Sequence, residues 1–161
     1  MNPIVLLGFP GSGKSTVGRR LARKLGVAFL DLDRYIEEKY HTSVPLLFQK
    51  YGEPAFRALE YAALCEVLAK DDVVIATGGG TPCHGDAMAK INARARSIYL
   101  QLTEDELVER ILQSRKRRPL TDSLSEPELR AYVRETLAKR EPYYRQAHTV
   151  WTPEEADALP V

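Results

Sequence analysis

Eight residues near the start of the chain match the pattern of a phosphate-binding loop. Residues 8–15 read Gly-Phe-Pro-Gly-Ser-Gly-Lys-Ser, which fits the motif Gly-x-x-x-x-Gly-Lys-Ser/Thr. Glycines let the backbone curl so that its N–H groups point at phosphate oxygens, and a following helix adds the positive end of its dipole. The predicted nucleotide-binding residues are Gly11, Ser12, Gly13, Lys14, Ser15 and Thr16. Within this set, Lys14 is expected on the β- and γ-phosphates and the Ser15 hydroxyl on Mg²⁺.

The loop motif predicts a bound nucleotide but not a reaction, because GTPases, ATPases and small-molecule kinases share it. Asp31 and Asp33 narrow the choice, since they follow a predicted strand at 28–30. Ligands of open α/β sheets lie at the carboxyl ends of strands, and both carboxylates point to one side if the chain stays extended. One can bind magnesium and the other can accept a substrate hydroxyl proton or orient that hydroxyl. The structural alternative is that Asp33 caps the next helix.

Three consecutive glycines, Gly78, Gly79 and Gly80, follow the buried strand predicted at 73–76. Such a run is costly to order and has no side chain to pack. A ligand lying against bare backbone explains it better than a tight turn with positive φ, for which one glycine would suffice. The loop at 81–84 receives no function from the sequence.

Arginines occur at three further places, and their forked guanidinium groups match carboxylates and phosphates. Arg57 lies three residues before Glu60 on a predicted helix. The basic run 115–118, which ends in Arg118 before a proline, indicates a mobile lid that closes over ATP. Taken alone, this run would be read as a solvated charged face. The third arginine is Arg140.

The order of predicted elements is typical of an α/β domain with a parallel sheet and helices on both faces. It predicts a single domain over residues 1–161. The strands are predicted at 4–7, 28–30, 73–76, 97–100 and 148–151. The helices are predicted at 15–25, 34–40, 44–69 with interruptions near Pro45 and Gly52, 85–92, 103–114 and 125–147.

Composition argues against several other classes of protein. Lys and Arg total 23 against 22 for Asp and Glu, which argues against nucleic-acid and membrane-surface partners. No apolar run approaches the roughly 20 residues that span a bilayer, and the first residues lack a signal-peptide pattern. A cytoplasmic protein is expected, with Cys65 and Cys83 as reduced thiols. Nothing in the sequence demands more than a monomer.

The ordered set of motifs resembles the shikimate kinase family over about residues 4–151. The motifs are the phosphate-binding loop, Asp31-x-Asp33, Phe56-Arg57-x-x-Glu60, Gly78-Gly79-Gly80, Arg118-Pro119-Leu120 and Arg140-x-Pro142-x-Tyr144. The resemblance implies a three-layer α-β-α fold with a five-stranded parallel sheet, a substrate-binding helical segment at about 33–60 and a mobile lid at about 112–124. It also implies transfer of the ATP γ-phosphoryl group to the 3-hydroxyl of shikimate, in aromatic amino-acid biosynthesis.

The same resemblance implies roles for individual residues. Asp33 binds the shikimate hydroxyls, as a base or only as an orienting group, and Asp31 holds magnesium through water. The shikimate carboxylate lies between Arg57 and Arg140. The remaining implied roles are phosphate binding by Lys14, magnesium binding by Ser15, a pocket lined by Gly79 and Gly80, orientation of Arg57 by Glu60, ATP contact by Arg118 and adenine contact near Thr152-Pro153.

Three alternatives stay open at this point. A gluconate kinase on the same scaffold also needs a carboxylate clamp. A nucleoside monophosphate kinase fits less well, because a single carboxylate clamp is a poor pocket for a phosphate and a base. A nucleotide-gated switch would bind nucleotide without acceptor-dependent release of ADP.

Overall fold

Five short strands form one sheet in which every neighbouring pair is parallel. The computed structural model describes residues 1–114 and 124–161. The strand order across the sheet is β2-β3-β1-β4-β5. The strands are β1 Ile4–Leu7, β2 Ala28–Asp31, β3 Val73–Ala76, β4 Arg96–Leu100 and β5 Thr149–Trp151. The parallel sheet predicted from the sequence is therefore confirmed.

Each connection between consecutive strands contains at least one helix, as a parallel sheet requires. A short 3₁₀ turn at Thr81–Cys83 follows β3. The α-helices of the described residues are α1 Lys14–Leu25, α2 Leu32–Tyr40, α3 Val44–Leu68, α4 Ala87–Arg94, α5 Glu104–Gln113, α6 Glu126–Tyr144 and α7 Pro153–Ala158.

Alternate residues of β1 enter different hydrophobic cores on the two faces of the sheet. Val5 and Leu7 pack with residues of α2, α3 and α4, whereas Ile4 and Leu6 pack with α1 and α7. Successive side chains of a strand point to opposite faces, so a strand buried on both sides is apolar throughout. The continuous run Ile-Val-Leu-Leu is thus explained by helices on both faces, which gives a three-layer α-β-α fold.

The ends of several helices were predictable from local chemistry. Gly26 closes α1 in the left-handed conformation, with φ of 69°. Thr103 with Glu106 and Ser125 with Glu128 form the reciprocal hydrogen bonds of a capping box at α5 and α6.

Several boundary predictions are wrong: α4 lies two residues later than predicted, and α6 ends at Tyr144, three residues earlier than predicted. Helix α2 begins at Leu32, two residues earlier than expected, because Asp31 caps it by accepting a hydrogen bond from the Arg34 N–H. Asp33 is therefore not the cap, and the chain does not stay extended between the two carboxylates. Pro45 does not interrupt α3 either, since it lies in the first turn, where proline is tolerated.

The interruption predicted near Gly52 is confirmed, since this residue has the non-helical angles φ 79° and ψ 170° inside α3. Cys65 and Cys83 carry free thiols. Over the described residues, no helix combines the length and the apolar character needed to cross a membrane.

Candidate active site

The phosphate-binding loop joins the carboxyl end of β1 to the amino end of α1. Gly11 and Gly13 have φ of 94° and 93°, a left-handed region that favours glycine, so the loop requires both residues. Nζ of Lys14 donates to the carbonyl oxygens of Gly8, at 2.6 Å, and Phe9, at 3.1 Å. The ammonium group thus lies across the curled loop at the positive end of α1, an arrangement suited to phosphate.

Ser15 and Asp31, the two predicted magnesium residues, are in direct contact. The Ser15 hydroxyl donates to Oδ2 of Asp31 over 2.8 Å. Mg²⁺ prefers oxygen ligands and keeps several waters, so one carboxylate with one hydroxyl beside bound phosphates is a suitable donor set. Among residues 1–114 and 124–161, no group of three or more His, Cys, Asp or Glu side chains forms a metal site of its own. The donor set therefore fits an ion held together with a nucleotide.

Asp33 is a partly buried carboxyl whose pKa is strongly shifted. Burial, followed by the charges of Asp31 and Glu60, raises its pKa to about 6, and the nearby Lys14 acts in the opposite direction. A carboxyl with such a pKa is ionised at neutral pH and is a far stronger base than an exposed aspartate.

Each glycine of the 78–80 segment lies against a different predicted substrate residue. A β-carbon placed on Gly78 would lie 3.0 Å from Oδ1 of Asp33. On Gly79 it would lie 2.7 Å from Nη1 of Arg140, and on Gly80 it would lie 2.6 Å from Nη2 of Arg57. These glycines are required for close approach, and their φ values are not positive. The segment therefore brings one carboxylate and two guanidinium groups to a single stretch of backbone.

Arg57 is held on several sides. Its Nη1 donates to Oε1 of Glu60 over 2.8 Å, as predicted. The ring centroids of Phe48 and Phe56 lie 5.7 and 5.5 Å from its Cζ, within the range of cation–π attraction. Its Nε is buried and has no hydrogen-bond acceptor among the described residues. A buried donor without an acceptor is costly, so this group suits an acidic ligand.

Arg140 approaches the same segment from α6. Its Cζ lies 5.8 Å from the ring centroid of Phe9, and it forms no ion pair with any described residue. Four residues further along α6, the Tyr144 hydroxyl donates to the carbonyl oxygen of Gly79 over 2.5 Å. The helix that carries Arg140 is therefore attached to the glycine segment, and the arginine charge remains available to a ligand.

A second part of the site lies beyond the phosphate-binding loop. A cavity of about 200 Å³ is lined by Ser12, Gly13 and Thr16 of the loop region, by Arg110 of α5, and by Thr152 and Pro153. Nη1 of Arg110 donates to the carbonyl oxygen of Ser12 over 3.3 Å. The predicted adenine-contacting segment is thus next to the phosphate site.

Three features of this region were not predicted from the sequence. They are the positions of Arg110 and Thr81 in the site and the contact between Gly78 and Asp33. The pattern of three glycines contained the signal for Gly78, but Arg110 and Thr81 belong to no motif. Arg118 and most of the predicted lid lie outside the described residues, so both remain predictions. The predicted residues that the structure brings to the carboxyl edge of the sheet are Lys14, Ser15, Asp31, Asp33, Arg57, Glu60, Gly79, Gly80 and Arg140.

The fold and this loop define a class: the protein is a P-loop kinase, an ATP-dependent phosphotransferase. The family model described as shikimate kinase matches residues 10–158, nearly the whole chain. The chain therefore belongs to the shikimate kinase family.

Individual relatives agree with this assignment. A shikimate kinase from Parabacteroides distasonis is 44% identical over 147 residues, which make up 91% of this chain and 85% of the relative. The crystal structure of shikimate kinase from Bacteroides thetaiotaomicron superposes with a TM-score of 0.92 at 38% identity, covering 97% of this chain and 92% of that one. Shikimate kinase from Acinetobacter baumannii in complex with shikimate gives 0.86 at 34% identity, covering 99% and 90%.

Proposed function

We propose that this protein transfers the γ-phosphoryl group of ATP to the 3-hydroxyl of shikimate, giving shikimate 3-phosphate and ADP on the route to aromatic amino acids. The observation that carries the proposal is the convergence of Asp33, Arg140 and Arg57 on the three-glycine segment. This set offers a carboxylate to hydroxyl groups and two cations to a carboxylate, which matches a small polyhydroxy acid. Family membership selects shikimate over gluconate.

The two arginines would bind the substrate carboxylate. The side chain of Arg57 is only 17% exposed, and Glu60 already sets the orientation of its guanidinium group. A charge held in this way loses little freedom when an anion binds, so less binding free energy is spent on ordering it. Arg140, which lies against the neighbouring Gly79, would supply the second contact.

Asp33 would accept a hydrogen bond from the hydroxyl that attacks the γ-phosphoryl group. Its raised pKa makes it a competent proton acceptor near neutrality. Phosphoryl transfer passes through a loose transition state, in which positioning and charge stabilisation contribute more than early proton removal. The carboxylate thus orients the nucleophile throughout the reaction and accepts its proton as the new bond to phosphorus forms.

Lys14 would neutralise charge on the β- and γ-phosphates of ATP, and backbone N–H groups of the loop would bind their oxygens. Ser15 would bind Mg²⁺ directly and Asp31 would bind it through water. When bound, the ion would offset the negative charge of the phosphates. The adenine would lie in the cavity between Arg110 and Pro153. Arg118 of the predicted lid would contact ATP, a role that rests on the sequence alone.

All of the residues with a proposed role belong to one chain, so we propose that a single domain acts as a monomer. Helices α2 and α3, which cover the predicted substrate-binding segment at about 33–60, supply Asp33 and Arg57.

The test is a coupled assay of ADP release with ATP and Mg²⁺, using shikimate, gluconate or no acceptor. We expect saturable release that depends on shikimate. ADP release with gluconate but not with shikimate would support kinase activity and refute shikimate as the acceptor. Nucleotide binding without release under any condition would favour a binding switch.

A further inference from the structure

Glu60 is a buried carboxylate that connects two separate elements of the site. Only 3% of its surface is exposed. One of its oxygens, Oε1, accepts from Arg57 on the same helix. The other, Oε2, accepts from the hydroxyl of Thr81 over 2.9 Å, and Thr81 lies in the loop after the glycine segment. Both oxygens of the carboxylate are therefore oriented by donors from different parts of the chain.

We propose that Thr81 is a positioning residue for the acidic substrate, acting through Glu60 on Arg57. The inference rests on the proposed function, because it assumes that Arg57 binds the carboxylate of the acceptor. Thr81 itself has no need to touch the substrate.

Thr81 is well placed to serve as a fixed reference for Glu60. It is 3% exposed, and its backbone N–H donates to the carbonyl oxygen of Gly78 over 3.2 Å. It also opens the short 3₁₀ turn that follows the segment. The preceding residue, Gly80, already abuts the guanidinium of Arg57. Residues 80 and 81 thus fix this arginine from two sides, one by direct contact and one through Glu60.

A hydrogen bond to a carboxylate is stronger than one between neutral groups, and a buried oxygen that loses its donor is destabilised. Without the Thr81 hydroxyl, Oε2 of Glu60 loses its donor, and the orientation of the carboxylate is set less firmly by the contact with Arg57 alone. Arg57 then samples orientations that do not suit a carboxylate. Affinity for the acidic substrate falls, whereas the phosphate-binding loop is unchanged.

The first experiment compares Thr81→Val, which removes the hydroxyl at nearly constant shape, with Thr81→Ser, which keeps a hydroxyl. We expect Thr81→Val to raise the KM for shikimate about tenfold, the effect of losing one hydrogen bond to a charged group. The KM for ATP and kcat should stay within about twofold, and Thr81→Ser should restore the KM for shikimate. A KM for shikimate within twofold of the parent in Thr81→Val would overturn the proposal.

Thr77→Val is the matched control. Thr77 is also buried and lies near the same segment, but its hydroxyl donates to the backbone carbonyl oxygen of Leu6. Both valine variants should lower the midpoint of thermal unfolding, and only Thr81→Val should change the KM for shikimate. An equal rise of that KM in Thr77→Val would reduce Thr81 to a structural role and refute the inference.

A second readout does not depend on the identity of the acceptor. The side-chain Nε–H of Arg57 is buried, so its NMR signal reports how firmly the guanidinium is held. We expect a sharp signal in the parent and in Thr81→Ser, and a signal broadened by exchange in Thr81→Val. An unchanged signal in Thr81→Val would overturn the positioning role even if shikimate were not the acceptor. Failure of ADP release in the parent, by contrast, refutes only the proposed function. If Thr81→Val folds poorly, Thr81→Ala serves for both measurements.

Discussion

At the scale of single residues, Asp33 shows how burial sets chemistry. The carboxyl group lies among Asp31, Glu60 and Lys14, and the net effect of burial and these charges raises its pKa to about 6. The pKa of an exposed aspartate is about two units lower. The site thus holds a carboxylate that changes its protonation state within the range of ordinary assays.

This shift predicts the pH dependence of the reaction. Because the raised pKa keeps Asp33 protonated up to about pH 6, the reactive ionised form is lost as pH falls through that value. We expect kcat/KM for shikimate to be level above about pH 7 and to fall about tenfold per pH unit well below pH 6. Initial rates between pH 5 and 8.5 test this.

Asp33→Asn supplies the control for the pH profile. It should reduce transfer by about 10²–10⁴-fold, remove the acid limb and leave ATP binding nearly intact in calorimetry. A profile that stays level down to pH 5 in the parent would contradict the role given to Asp33.

Arg140 and Arg145 form a matched pair on one helical stretch. We expect Arg140→Ala to raise the KM for shikimate by about 30-fold or more, because truncating a partner of a buried charge pair costs about 2 kcal/mol or more. Arg145 is 62% exposed and pairs with Glu141 on the surface, so Arg145→Ala should change this KM less than twofold. Steady-state kinetics with saturating ATP measures both effects. Equal effects of the two substitutions would refute the contact between Arg140 and the substrate carboxylate.

The roles of residues within motifs were predictable, whereas links between motifs were not. Ser15 and Asp31 belong to patterns whose chemistry implies a shared ion, and the structure places them in contact. The bond from Thr81 to Glu60 spans 21 residues, and the bond from Tyr144 to Gly79 spans 65. Such contacts depend on how helices pack against the sheet, and a single sequence without a repeated spacing carries no signal of that packing.

At the scale of elements, the glycine segment acts as a surface that must be free of side chains. A β-carbon on Gly79 would lie 2.6 Å from Cδ of Pro10 as well as close to Arg140. The loop at the end of β1 and helix α6 thus meet at one backbone position. The sequence predicted a ligand against bare backbone here, but only the structure shows which group contacts each glycine.

We expect Gly79→Ala to lower the free energy of unfolding by about 1–3 kcal/mol, the usual cost of overpacking, and to reduce kcat/KM for shikimate more than tenfold. Gly85→Ala is the control, because a β-carbon there meets nothing within 4 Å although φ is 55°. Gly85→Ala should lower the free energy of unfolding by about 1 kcal/mol and leave kcat/KM for shikimate unchanged. Urea unfolding and steady-state rates separate the two effects; an active Gly79→Ala protein would argue against the close approach of Arg140.

Helix boundaries were predicted less well than helices. The start of α2 moved to Leu32 because Asp31, rather than Asp33, accepts the capping hydrogen bond. Either aspartate satisfies the local preference for a cap. The choice is made by tertiary contacts, since Asp31 also accepts from Ser15 and Asp33 is directed to the glycine segment.

At the scale of the whole molecule, the alternation of strands and helices was sufficient to predict the layers. Each central strand places apolar side chains on both faces, and cores lie on both sides of the sheet. The strand order β2-β3-β1-β4-β5 came only from the structure, because periodicity gives the faces of a strand and not its neighbours.

Ligand binding should stabilise the whole fold by mass action. At ATP·Mg²⁺ concentrations near 100 times Kd we expect a gain of about 2.7 kcal/mol, or roughly 5–10 °C in Tm. Lys14→Met should lose most of this shift and of the transfer activity, and should keep any stabilisation by shikimate alone. Differential scanning fluorimetry with each ligand tests the pattern. A full ATP shift in Lys14→Met would refute the phosphate contact.

The three-glycine segment also bears on how the protein could escape an inhibitor. Every position of the segment is in close contact with a group that the proposed reaction needs, namely Asp33, Arg140 or Arg57. A compound that hydrogen-bonds to the backbone of this segment would therefore contact atoms that side-chain substitution cannot remove. Resistance by enlarging any of the three residues would displace part of the catalytic apparatus, so it would come with a loss of activity.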